Sequence, residues 1–217
     1  MASRGEGLKP FLEEIRKGKL APAYLLYGED AWQKEEAARA VRHAALPEGE
    51  GSFDLVLLEG SSCSLSEVVD AARTLPLFTS RRLVWVKEAE AIRDTAVGGL
   101  EEYLRSPSPS TCLLFVAGAK PDFRKALIKT LQKLAEVREF QPMKGAMLQG
   151  WIRARVAELD AEIERDAAAL LEFHAGPETM RLDRELRKAV DFAAPRKRIG
   201  VADVEATLGI TATASVF

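Results

Sequence analysis

Apolar and polar residues alternate along the first two thirds of the chain in blocks that read as strand, helix, strand, helix. Ala23–Tyr27 (AYLLY) is a continuous apolar run of the kind found in strands buried on both faces. Gly28-Glu29-Asp30 supplies the turn after it, and Asp30 with Gln33 three residues on forms a capping-box pattern for a helix to about residue 45. The pattern predicts further strands at 53–58, 82–88, 111–117 and 137–141. Helices are expected at 8–18, 64–75, 92–105 and 122–135, with a short Ser/Pro loop at 106–111. Such alternation implies a parallel sheet covered by helices, with right-handed crossovers.

Beyond Pro142 the period changes. Leu148, Trp151, Ile152, Val156 and Leu159 mark one face of a helix at 146–159. Helices at 166–175, 178–193 and 201–208 follow, the third of the four with Met180, Leu182, Leu186, Val190 and Phe192 as its apolar members. The expected organisation is therefore an α/β domain over residues 1–141 and a small all-α domain over 142–217. No internal repeat is present.

Composition narrows the class without naming a function. The apolar fraction of 47% beside 29% charged residues is that of a globular protein. No run approaches the roughly 18 apolar residues of a membrane span, and the N-terminal stretch has no secretory-type apolar core, so a soluble, cytoplasmic chain is expected. Cys63 and Cys112 are too few for a disulfide framework or a cysteine zinc site. The formal charge of −2 is not that of a free-standing nucleic-acid binder.

The segment TLPLFTSRRLVWV, residues 74–86, stands out. Pro76 lacks an N–H and restricts Leu75 before it, so it stops the helix. Leu77 and Phe78 then precede a polar Thr-Ser-Arg-Arg turn. Two readings are open: the cluster tucks under its own domain, as most large apolar residues do, or it is offered to a partner as an anchor. Seated in a pocket, each side chain would contribute about 1.5–3 kcal/mol.

The turn after the first strand sits where a phosphate-binding loop would lie, yet the window GEDAWQKE keeps only part of G-x-x-x-x-G-K-[ST]. Gly28 and Lys34 fit, but Gln33 replaces the second glycine and Glu35 the magnesium-binding hydroxyl. Glu29 and Asp30 add negative charge, so nucleotide binding is disfavoured. At the end of the strand LVWV, Lys87 stands where an acidic metal ligand would be needed, Glu88 alone supplying a carboxylate nearby, and Gly118-Ala119-Lys120 offers no γ-phosphate sensor. His43 and His174 are isolated on helices, no metal-ligand spacing occurs, and no Gly-x-Ser-x-Gly elbow is present, so no catalytic residue, cofactor or metal is expected. Arg196-Lys197-Arg198 reads more readily as a solvated loop than as a phosphate-backbone contact. Arg81-Arg82 reads as flanking the apolar tip.

The succession AYLLYGED, TLPLFTSRRLVWVKEAE, TCLLFVAGA, LQGWIRARVAELDAEI and LDRELRKA, spread over residues 8–217, resembles the delta-subunit family of the bacterial DNA polymerase III clamp loader. Each motif alone is weak, but their order and spacing are specific. The resemblance implies an AAA+ type α/β domain and a helical lid domain, without ATPase activity. It implies that Leu77 and Phe78, with Leu75 beside them, bind the sliding clamp and help open its ring. Other loader subunits, the ATP-binding and delta-prime types, would be partners, and DNA would be met only through the assembled complex. The family carries a third, collar domain, so a truncated chain ending before it is expected at Phe217. The alternatives are an active P-loop ATPase subunit of a loader and a DNA-processing AAA+ module.

Overall fold

A computed structural model describes residues 7–47, 53–93 and 96–209. The chain divides into two compact units, Met1–Gln141 and Pro142–Phe217.

The first unit opens with α1 (Leu8–Arg16), β1 (Ala23–Tyr27), α2 (Ala31–Ala45), β2 (Leu55–Glu59) and α3 (Leu65–Arg73). It continues with β3 (Arg82–Lys87), a single 3-10 turn (Ala89–Ala91), α4 (Gly98–Arg105), β4 (Thr111–Val116), α5 (Ala126–Leu134) and β5 (Glu136–Glu139). The five strands form one sheet in the order β2-β3-β4-β1-β5, and every pairing is parallel. Strand β1 is central enough to be paired on both sides, Leu25 lying opposite Phe115 on one neighbour and Val137 on the other.

The unbroken apolar runs follow from helices covering both faces. Leu25, Val84, Val86, Leu113 and Phe115 point into one core, with Val68, Val69, Leu100, Ile128 and Leu131. Tyr24, Leu26, Leu83, Trp85 and Leu114 point into the other, with Phe11, Ala37 and Val41. Because all five strands run the same way, the segments entering β2 and β3 lie at one edge of the sheet. The segment leaving β1 lies at the opposite edge.

Several boundaries differ from the sequence pattern, for local reasons. Helix α3 spans 65–73 rather than 64–75, because Ser64 is its cap and Thr74 has already turned extended, at φ −72° and ψ 129°. Helix α4 begins at Gly98 rather than near 92; Glu88 is left-handed at φ 49° and starts the 3-10 turn instead. Helix α5 begins at Ala126 rather than near 122, because the Asp122 carboxylate takes the Arg124 amide in a turn of its own.

The second unit holds α6 (Gly145–Glu158), β6 (Glu162–Ile163), α7 (Arg165–Ala175), α8 (Thr179–Ala193), β7 (Arg198–Ile199) and α9 (Val201–Leu208). Its core gathers Leu148, Ile152, Val156, Leu171, Leu182 and Leu186. The two-residue strands β6 and β7 pair in parallel within this otherwise helical unit, a short ladder the helical period does not signal. Phe192, an apolar member of the expected helix face, is instead exposed.

Helix α3 leads directly into the apolar tip, and its start is fixed by a reciprocal cap. The Ser64 hydroxyl accepts from the Glu67 amide while the Glu67 carboxylate accepts from the Ser64 amide at 2.7 Å. Ser64→Ala is expected to lower unfolding stability by about 1 kcal/mol, measured by urea denaturation; an unchanged midpoint would contradict this role of the cap.

Candidate functional site: the apolar tip between α3 and β3

The last carbonyls of α3 have partners at its C-terminal end. Ala72 accepts from the Thr111 hydroxyl at 3.0 Å and the Tyr103 hydroxyl at 3.3 Å. Asp70 accepts from the amide and hydroxyl of Thr74. Pro76 then keeps the chain out of helix, and residues 74–81 cross to the start of β3 without regular structure.

Along this crossing Leu75, Leu77 and Phe78 are 69%, 70% and 70% exposed. They are not packed under their own unit, which removes the local-core reading for these three side chains. Three large apolar residues in a run of four thus stand out in solvent as one exposed apolar patch.

The backbone of Leu77 and Phe78 is held by Asp54, a residue the sequence pattern places inside a strand at 53–58. The structure places it just ahead of β2, fully buried. One carboxylate oxygen accepts from the Leu77 amide at 2.7 Å. The other accepts from the amides of Phe78 and Thr79, both at 2.8 Å. The Thr79 hydroxyl lies 3.0 Å from that second oxygen and also within reach of the Arg81 carbonyl, and it donates to one of them at a time. Arg82 brings a guanidinium nitrogen to 3.8 Å from the carboxylate, and the Leu83 amide donates to the Asp54 carbonyl.

Burial alone pushes the Asp54 carboxyl upward from its ordinary 3.8. The three amides and the hydroxyl outweigh that and hold it down at about 2. Beside it, Phe53 is 68% exposed, with its ring 5.3 Å from that of Phe78 at an angle of 47°. Neither Phe53 nor Asp54 was picked out by motif. The available signal was an acidic residue directly before the run Leu55-Val56-Leu57-Leu58.

At the opposite edge of the sheet lies the phosphate-loop position. Gly28, at φ 128°, passes so close to β5's end that a Cβ would sit 2.2 Å from the Phe140 carbonyl oxygen; the glycine is required by chain packing. Gln33 is buried, its amide nitrogen donating to the Asp30 carboxylate at 2.9 Å and to the Gln141 carbonyl at 3.0 Å. The Lys34 ammonium donates to the Ala117 carbonyl at 3.1 Å. Desolvation lowers its pKa, against the opposing pull of Glu90 and Asp30. Glu35 turns along the helix to pair with Arg39. Lys87 lies over the Trp85 ring, 5.7 Å from its centre.

The remaining candidates are dispersed. His43 and His174 are exposed on separate units. Among the described residues no cluster of three or more His, Cys, Asp or Glu is arranged to hold a metal, and no helix is long and apolar enough to cross a membrane. The basic loop is neutralised residue by residue: Arg196 pairs with Asp203 at 2.7 Å, Lys197 with Asp160, and Arg198 with Glu164 at 3.1 Å. The Cys112 thiol is buried and its pKa is pushed up to about 12 by desolvation, the setting of an unreactive thiol.

A family model described as DNA polymerase III, delta subunit matches residues 24–141, more than half of the chain. A curated relative, DNA polymerase III subunit delta of Bacillus subtilis, is 25% identical over 94% of this chain; the chain spans 62% of that relative's length. Among solved structures, the Bacillus subtilis DNA clamp loader delta protein superposes with a TM-score of 0.69 at 24% identity, covering 92% of this chain and 61% of that one. The Thermotoga maritima RuvB Holliday junction branch migration motor shares the fold, with a TM-score of 0.60 at 14% identity over 94% of this chain and 66% of its own.

The Asp54 anchor has a pH signature. A carboxyl held below its ordinary value contributes stability that is fully present above about pH 4 and is lost as pH falls toward about 2. Amide exchange or NMR shifts at Leu77, Phe78 and Thr79 should therefore report an intact turn at pH 4 and its release near pH 2. Release already between pH 5 and 4 would contradict the assigned hydrogen bonds.

Proposed function

This chain belongs to the DNA polymerase III delta-subunit family, and from that premise we propose that it is the part of a clamp-loader delta subunit that grips the sliding clamp. Leu77 and Phe78, with Leu75 beside them, enter an apolar pocket on the clamp. Binding favours an open ring because the tip contacts that state better than the closed one. The observation that carries the reading is the exposure of Leu77 and Phe78 on a turn whose backbone is fixed from beneath, with Leu75 exposed beside them.

The subunit does this without hydrolysing ATP. Supporting that assignment, the place of the second phosphate-loop glycine is taken by the buried Gln33, and the lysine that would meet phosphates is engaged with a carbonyl. The ATP-binding and delta-prime type subunits of the loader are its other partners. DNA is met only through the assembled complex, a view supported by the pairing of each basic residue at 196–198 with a carboxylate. A cytoplasmic location follows from a role in replication.

Two measurements test this. Leu77→Ala/Phe78→Ala is expected to weaken binding to purified sliding clamp by about a hundredfold or more, as loss of two seated apolar side chains requires; native-like retention of the clamp would refute the anchor. Calorimetric titration with ATP and magnesium should show no saturable binding. Tight binding would instead favour an active ATPase subunit.

A further inference from the structure

We propose that Phe53 and Asp54 form the second half of the clamp-binding site, Asp54 as a positioning residue and Phe53 as a contact. This rests on the clamp-binding reading of Leu77 and Phe78 and extends it to a segment more than twenty residues upstream.

The turn at 77–79 directs three consecutive amides inward onto one buried carboxylate while its two largest side chains face solvent. A turn that served only the fold would be secured by burying Leu77 or Phe78. Here the backbone is held and the side chains are left free, the arrangement that pre-sets an anchor for docking and removes the ordering cost at the moment of contact. The same segment places Phe53 beside Phe78 with their rings 5.3 Å apart, so the exposed surface is two aromatic rings plus Leu77 and Leu75. Phe53 is continuous with the proposed anchor and is not enclosed by its own unit. The occupant is therefore the same apolar clamp pocket that receives Leu77 and Phe78.

The test compares binding of this chain to purified sliding clamp for the native protein, Asp54→Asn, Phe53→Ala and Leu77→Ala/Phe78→Ala. A free peptide spanning Thr74–Ser80, which carries the anchor but not Asp54, is measured alongside. Asp54→Asn keeps the volume but loses the charge and faces amides with a donor of its own. It should weaken binding about tenfold or more. Phe53→Ala should weaken it about threefold to tenfold, and the peptide should bind at least as weakly as Asp54→Asn. Amide exchange should quicken at 77–79 in Asp54→Asn, with the central amides of β3 and β4 still protected; a general structural defect would expose both. Native-like binding by Asp54→Asn or by Phe53→Ala, with the double mutant weakened, overturns the proposal and leaves the anchor standing. A double mutant that binds like the native chain overturns both. Should Asp54→Asn fail to fold, the peptide decides: native-like affinity for the clamp would show that no positioning is needed.

Discussion

A buried carboxylate beneath an exposed apolar turn is the interaction on which this structure turns. Without a partner, an ionised group with no solvent exposure is strongly disfavoured. Asp54 is tolerated because three amides and a hydroxyl converge on it, and Arg82 stands nearby. The same bonds solve the turn's own difficulty. Leu77 and Phe78 would gain by collapsing inward, and their amides, held on the carboxylate at the sheet edge, oppose that collapse. The helix end contributes as well: hydroxyls from α4 and β4 close the Ala72 carbonyl, so α3 stops where the tip must begin.

The parallel sheet gives the unit two edges of different character. The edge at the strands' C-terminal ends, where folds of this type bind ligands, holds the buried Gln33 and the Lys34–Ala117 contact. The edge at their N-terminal ends carries the tip. The side chains at the first edge are engaged with their own unit, and the exposed apolar side chains stand at the second.

Much of this was legible in the sequence because it is local. Continuous apolar strands, the Asp30 cap and the break at Pro76 each announce themselves within a few residues. The exposure of Leu77 and Phe78 was not legible, since residue type alone favours burial. Asp54 was beyond reach for a different reason. Its partners lie 23 to 25 residues away, and an aspartate before a strand looks like any loop residue until the sheet order puts β2 beside β3. Helix starts were misplaced where a side chain captured the backbone first, as Asp122 does ahead of α5, or where Glu88 adopted a left-handed conformation. The parallel β6–β7 ladder escaped because two-residue strands have no period.

If the tip of the first unit is what grips the clamp, the most direct measurement places a photo-crosslinking side chain at position 75, and a second at the exposed Lys120 position, at the opposite edge of the same sheet, as a control, with purified sliding clamp present. The expected result is a covalent adduct with the clamp from position 75 and none from position 120. Absence of an adduct from position 75, or an adduct from position 120 alone, would contradict clamp binding through the tip.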